Sequence, residues 1–291
     1  MTFKILPGLA TIADHYDAFI LDLWGVVHNG HAPYAGAQDC MARLKDNGRQ
    51  ILLLSNAPRT SDHVIEFLKG MGVDRSEYDH ILTSGDMTRQ VLETGDHAFL
   101  ADTGKNFYQI GPARDIGLDD GLGYTSVTAP EDADFLICTG LVDDEVETPE
   151  SYKSILETSL LHKLPMFCAN PDLTVMRGPM TVYCAGSVAA LYEEMGGQVD
   201  LFGKPYAAAY HQSMAKLGIT DSRKILAVGD SMRTDIKGAN AANMDCVLVG
   251  GGIHAEDWGL EPGQTPTVDQ IEAVSAEYGF KPTYVVAHMT W

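Results

Sequence analysis

Four short stretches of the chain end in residues that could do chemistry together. Asp22 and Gly25 close the apolar run of AFILDLWGVV (18–27), and Ser55 with Asn56 follows the leucines of ILLLSN (51–56). Lys204 follows LFG, and Asp230 and Asp235 stand in AVGDSMRTD (227–235). Together they offer three carboxylates, one ammonium, one hydroxyl and several loop amides. A hard divalent cation takes oxygen ligands, and a lysine answers phosphate charge, so this set suits Mg2+ and a phosphoryl group. Each piece alone has a plainer reading. An aspartate in a strand can be a satisfied core polar group, Ser-Asn is a common turn signal, and Asp235 could cap the helix that starts near Ile236.

Residues so far apart in sequence need a scaffold that collects them. Short apolar runs alternate with helical patterns, which predicts parallel strands joined by helices. The runs at 17–25, 50–56, 80–86, 198–205 (QVDLFGKP), 224–231 (KILAVGDS) and 244–252 (MDCVLVGGG) read as strands. A helix is predicted from about Ala35, with Cys40, Met41 and Leu44 on one face and Gly48 as its stop. A second, capped by Ser61 or Asp62, carries Val64, Ile65 and Leu68 at helical spacing. Between 87 and 175 the texture changes. HAFLAD (97–102), ADFLICTG (133–140) and LPMFCANPD (164–172) are strand candidates there, around the loop-rich 111–134. The predicted fold is α/β: a Rossmann-like open parallel sheet built from 1–86 and 176–291, with a smaller α/β domain inserted at 87–175. In open α/β sheets ligands bind at the carboxyl ends of the strands, where all four stretches end. The triplet Gly250-Gly251-Gly252 reads as a flexible exit from a strand, and no internal repeat is evident. The carboxy-terminal PTYVVAHMTW reads either as a strand docking on the core or as part of an interface.

Composition narrows the function classes. A chain of 291 residues with 45% hydrophobic and 21% charged residues has enough material for a sizeable core. Its formal net charge of −20 argues against nucleic-acid or anionic-membrane partners. Five scattered cysteines (Cys40, Cys138, Cys168, Cys184, Cys246) form no C-x-x-C pair, which speaks against a disulfide framework and a zinc site. No run of about 18 apolar residues occurs, and no secretory leader pattern opens the chain, so a cytoplasmic location without a membrane span is expected.

In their order and spacing, LDLWGVV, LLLSNAPR, LFGKP and VGDSMRTDI resemble the four motifs of the haloacid dehalogenase superfamily of aspartate-nucleophile phosphatases. The insertion between the second and third motifs, ending in CANPDLTV, resembles the cap of subclass IIA, the branch of p-nitrophenyl, pyridoxal, phosphoglycolate and bacterial sugar or nucleotide phosphatases. The resemblance implies that Asp22 is the nucleophile and forms an aspartyl-phosphate. It implies Mg2+ as cofactor, held by Asp22, Asp230, Asp235 and the backbone carbonyl of residue 24. Ser55, helped by the amide of Asn56, would hydrogen-bond the phosphoryl oxygens, and Lys204 would neutralise them and place Asp22. The cap would close over the cleft, and Asn170 and Asp172 at its return hinge would meet either the substrate or the loop of Lys204. Caps of this branch often contribute to dimers, which makes a homodimer one expectation.

One position departs from that pattern. Phosphatases of the superfamily usually read Asp-x-Asp, the second Asp protonating the leaving oxygen, and here that residue is Trp24. Residues i and i+2 of a strand share a face, so position 24 is expected to face the same cleft as Asp22. An indole N–H donates a hydrogen bond but has no useful acidity. General acid–base assistance is worth roughly 10²–10⁴ in rate, so its loss should slow poor leaving groups most. Three readings follow: another group such as His28 acts as the acid, Trp24 packs on the substrate, or catalysis has been given up and binding kept. The leading expectation is a Mg2+-dependent phosphomonoesterase of a small phosphorylated metabolite such as a sugar phosphate. The alternative is a catalytically weak or inactive binder or regulator. Carbon–halogen hydrolysis is disfavoured, because dehalogenases use no metal and would have no need of Asp230 and Asp235.

Overall fold

The residues that lead up to Asp22, Ala18–Leu21, form a strand buried at every position. It lies inside a seven-stranded sheet in the computed structural model, which describes residues 3–34, 36–101, 103–115, 117–177, 180–261 and 263–291. The chain opens with β1 (Lys4–Ile5), β2 (Ala18–Leu21), helix α1 (Ala37–Asp46), β3 (Gln50–Ser55), α2 (Ser61–Gly70), β4 (His80–Thr83) and α3 (Ser84–Thr94). It continues through β5 (Asn106–Ile110), β6 (Thr125–Val127), β7 (Phe135–Cys138), α4 (Lys153–Leu161), β8 (Met166–Cys168), β9 (Thr174–Arg177), β10 (Met180–Tyr183), α5 (Ala185–Glu194) and β11 (Val199–Leu201). It closes with α6 (Ala207–Leu217), β12 (Ile225–Gly229), α7 (Lys237–Ala241), β13 (Asp245–Val249), α8 (Val268–Tyr278) and β14 (Tyr284–Val286).

The large sheet has the order β1-β14-β13-β12-β2-β3-β4. Beside β2 the register is parallel on both sides, with Leu21 opposite Leu53 of β3 and Val228 of β12. Asp22, Ser55 and Asp230, each just at or past the end of its strand, therefore leave the sheet along one edge. The chain passes from β2 to β3 and β4 on one side and later returns through β12 on the other. This reversal of strand order opens the crevice in which doubly wound sheets bind ligands. The uninterrupted apolar sequences of these strands follow from burial on both faces, since a parallel sheet is covered above and below. Each fully buried leucine here is worth roughly 1.5–3 kcal/mol of transfer free energy.

Helix α1 turns Cys40, Met41 and Leu44 inward and packs on β3. It begins at Ala37 in the structure; Ala35, where the pattern was predicted to start, lies outside the described residues. The carboxy-terminal strand β14 sits between β13 and β1, so of the two readings of PTYVVAHMTW the docked strand is the one observed. No helix among the described residues is long and apolar enough to cross a membrane.

The contacts divide the chain into two compact units, one of residues 1–55, 65–82 and 204–291 and one of 56–64 and 83–203. The second differs in its limits from the predicted insertion at 87–175, for two reasons. Strand β11 pairs in parallel with β8, Val199 opposite Met166, and so completes a five-stranded sheet of order β11-β8-β7-β5-β6 instead of joining the larger one. Helix α5 puts Val188, Ala189 and Tyr192 into the core formed by Leu136, Leu156 and Met166. At the other limit, Arg59 makes an ion pair with Asp115, and the Thr83 hydroxyl donates to the Arg59 carbonyl at 2.6 Å. Asp86 accepts from the Ser61 amide at 2.8 Å, which ties 56–64 to the same unit.

Two local expectations inside this unit are corrected. The run predicted as a strand at 97–102 holds a 3₁₀ turn at Ala98–Leu100, because the His97 ring accepts the Phe99 N–H at 3.1 Å and curls the chain. Asp102 lies outside the described residues. The stretch predicted as loop contains β6, an edge strand of three residues, too short to show an alternating pattern among the surrounding Gly, Asp and Pro.

Candidate active site

The side chains of Asp22, Asp230 and Asp235 converge, each offering a carboxylate oxygen within 4.8 Å of the others. The ammonium of Lys204 is set against them, its Nζ 2.7 Å from Asp22 Oδ1 and 2.8 Å from Asp235 Oδ1. Backbone amides fix the carboxylates. Leu23 N–H donates to Asp22 Oδ1 at 2.7 Å, Ile253 N–H to Asp230 Oδ2 at 2.8 Å and Ser231 N–H to Asp235 Oδ2 at 3.2 Å. Asp235 is not a simple helix cap. It lies within a turn of π-helix, Met232–Ile236, that precedes α7, and Ser231 holds the capping position.

Three carboxylates face one ammonium in a buried place. Burial, and then the charges of Asp22 and Asp235, push the carboxyl of Asp230 well above the usual carboxylate range. Lys204 is only 3% exposed. Burial by itself would lower its affinity for a proton, but the two carboxylates beside it outweigh that and hold it above the ordinary lysine value. An excess of negative charge that one buried lysine leaves unbalanced, carried on hard oxygen donors, is the chemistry that a small divalent cation fits.

Glycines make this approach of backbone and carboxylate possible. Gly25 has φ +77°, and a Cβ there would stand 1.8 Å from Asp230 Oδ2. A Cβ on Gly252 would stand 2.2 Å from Asp230 Cβ, and one on Gly251 2.3 Å from the His288 ring. The three glycines at 250–252 are thus a close-packed seam and not the flexible exit predicted. Gly25→Ala is expected to cost about 1–2 kcal/mol for the left-handed backbone alone. It should also push Asp230 aside and weaken binding of a divalent cation by the carboxylate cluster by roughly 10–100-fold. Thermal melts across a divalent-cation titration check this; a wild-type titration curve in the variant would refute the packing argument.

Ser55 is buried at the end of β3, on the strand next to β2 and at the same edge. Asn56 begins the second unit. Its amide donates to Asp172 Oδ1 at 2.9 Å, and its carbonyl oxygen accepts from Ser84 Oγ at 3.4 Å. Asp172 N–H in turn donates to the Asn170 side chain at 3.0 Å. Of the two hinge residues predicted to meet the substrate or the Lys204 loop, Asp172 bonds to Asn56 and Asn170 bonds to Asp172.

Trp24 does not follow the i, i+2 expectation in a simple way, because β2 ends at Leu21 and the chain curls after it. Leu23 carbonyl accepts from both Val27 N–H and His28 N–H, and Gly25 N–H donates to the His28 carbonyl at 3.0 Å. The indole lies against Gly30, where a Cβ would be 2.4 Å from Trp24 Cη2, and meets the His28 ring edge-on at 5.1 Å. The opposite neighbour of His28 is Phe67, also edge-on, at 5.7 Å. His28 is 0% exposed, and its Nδ1 accepts the Gly30 N–H at 3.0 Å, which leaves the proton on Nε2. Burial pushes its pKa down to about 4. A neutral ring with no surface, wedged between two aromatic rings, is a packing group. This geometry does not support His28 as the general acid.

One element of the site carried no recognised sequence signal. The turn after β13 supplies Ile253 N–H to Asp230, and the next residue, His254, accepts the Met232 N–H at 3.2 Å while stacking on Trp258. It clamps the loop between Asp230 and Asp235 from the far side. The only hint was the glycine triplet that lets this turn come close.

The chain is similar to known proteins in sequence and fold. The sequence pattern described as haloacid dehalogenase-like hydrolase matches residues 19–118, and one described as HAD-hydrolase-like matches 201–290. The D-glycerol 3-phosphate phosphatase of Mycobacterium tuberculosis is 27% identical over 280 residues, 95% of this chain and 71% of that one. A glycerol phosphate phosphatase from the same organism, solved in complex with magnesium, superposes with a TM-score of 0.69 at 26% identity, covering 96% of this chain and 77% of that one. A hydrolase of the haloacid dehalogenase-like family from Brucella suis 1330 superposes with a TM-score of 0.83 at 32% identity, over 98% of this chain and all (100%) of that one. Likeness of sequence and fold over that whole length shows that the chain belongs to the haloacid dehalogenase-like hydrolases.

Proposed function

We propose that this hydrolase is a Mg2+-dependent phosphomonoesterase of a small phosphorylated metabolite, with Asp22 as its nucleophile. The observation that carries the reading is the contact of Lys204 with Asp22 and Asp235, beside Asp230, at the sheet edge where the strand order reverses. Asp22, Asp230, Asp235 and the backbone carbonyl of Trp24 would hold Mg2+, which when bound offsets the negative charge that keeps a carboxylate from a phosphate. An oxygen of Asp22 attacks phosphorus, the bond to the leaving oxygen breaks, and an aspartyl-phosphate results. Water then attacks that phosphorus and returns the electron pair to Asp22. Lys204 steadies Asp22 and neutralises the phosphoryl oxygens, which Ser55 and the amide of Asn56 also bind. The five cysteines, all free and buried, suit a reducing cytoplasmic setting.

Relatives named as phosphatases of glycerol phosphate, sugars and nucleotides support a small phosphomonoester as the substrate. Trp24 favours one second reading, a phosphate binder that no longer turns over. Phosphate release separates the two: wild type is expected to release phosphate with Mg2+, to stop with a chelator and to recover when Mg2+ returns. Mg2+ should also raise the melting temperature, by the equivalent of about 2.7 kcal/mol at a hundredfold excess over Kd. Release unaffected by chelation would sink the metal assignment. A melting shift without release would establish the binder.

A further inference from the structure

A phosphoryl transfer from an ester needs something to take up the charge that appears on the leaving oxygen. In the catalytic unit the groups gathered at Asp22 are poorly suited to give it a proton. Two of the three ammonium hydrogens of Lys204 are directed to Asp22 and Asp235. The carboxylate oxygens of Asp22 and Asp230 accept the Leu23 and Ile253 amides and converge with Asp235 where a cation could be held. Two residues beyond the nucleophile stands an indole that is packed on Gly30 and on the edge of His28. Its N–H has no acidity at neutral pH. The nearest imidazole along the chain, His28, has no exposed surface and spends its Nδ1 on the Gly30 amide.

We infer that the enzyme releases its leaving group as an unprotonated anion, and that its substrates are therefore phosphates of aryl, enol or carboxylic oxygens and not alkyl phosphates of sugars and polyols. This rests on Asp22 as the nucleophile. In the first step the bond from Asp22 Oδ to phosphorus forms and the bond from phosphorus to the leaving oxygen breaks. The electron pair stays on that oxygen, which departs as a phenolate, enolate or carboxylate. In the second step water oxygen bonds to phosphorus, the pair returns to Asp22, and the proton of the water leaves with the phosphate or to solvent. An oxygen stable as an anion can leave this way; an alkoxide cannot leave at a comparable rate. The substrate class thus differs from that named by the glycerol phosphate phosphatase relative.

The test is kcat/KM for a size-matched series of aryl and alkyl phosphates, with an acyl phosphate added, at saturating Mg2+. The expected result is a steady fall as the leaving oxygen becomes more basic, with the alkyl members slower than the aryl ones by roughly 10²–10⁴. Trp24→Asp, checked for folding by circular dichroism, is expected to raise alkyl turnover selectively and narrow that gap. A flat series, with Asp22→Asn silencing every member, overturns the inference and leaves the phosphatase reading standing. A folded Trp24→Asp protein with an unchanged gap also counts against it. No release from any member removes the phosphatase reading and this inference together.

Discussion

Asp22→Asn is expected to release no phosphate above background at saturating Mg2+, a loss of about 10⁴-fold or more. An amide oxygen is a far weaker nucleophile than a carboxylate, and the intermediate it would form has no stable form to hydrolyse. The fold should survive. The asparagine oxygen can still accept the Leu23 N–H now bound by Asp22 Oδ1, and the negative charge that burdens buried Asp230 becomes smaller. A melting temperature near that of wild type in the absence of Mg2+, as relief at Asp230 offsets the lost ion pair with Lys204, alongside lost turnover, is the expected pair of results. Turnover near the wild-type level in a folded variant would mean that another residue attacks phosphorus.

The largest effect on stability is expected from Lys204→Met. This lysine is buried with two carboxylates within 2.8 Å, and methionine fills its volume while removing its charge. Breaking a buried ion pair from one side costs about 3–5 kcal/mol, since the carboxylates remain in place with no cation beside them. Removing one preorganised donor at the reacting oxygens should also cost about 10²–10³ in turnover. Mg2+ should recover part of the stability and little of the rate, because the ion can restore positive charge but not the contact with Asp22. Urea unfolding with and without Mg2+, beside phosphate release, measures both. Wild-type midpoints and rates in the variant would show that Lys204 does not organise the cluster.

Parts of this site are readable along the chain because a buried parallel strand leaves a plain mark. It is apolar on both faces, so the first polar residue after Leu21 or Leu54, or after Gly229, has to lie at its end. Three such ends, with a lysine after a fourth apolar run, mark the candidate reacting groups, and the register of β12, β2 and β3 puts the three ends on one edge. Other features are invisible locally for equally plain reasons. Val199–Leu201 has the same short, mixed texture whichever sheet it joins, and only its pairing with Met166–Cys168 assigns it to the smaller one. The pair rule for strand faces misleads at Trp24, because the extended chain has ended by Leu21 and Gly25, at φ +77°, turns it. A histidine close behind Asp22 looks available for proton transfer until the rings of Trp24 and Phe67 are seen to pack against it.

The sequence by itself determined the α/β class, the strand ends and the identity of the charged groups, since all three follow from the polarity of neighbouring residues. The tertiary structure alone decided where the two units divide, that Gly25 and Gly252 are the space Asp230 occupies, and that His28 is a packing group. Those outcomes depend on which distant atoms come to lie opposite one another, and long-range packing leaves no trace in the order of nearby residues.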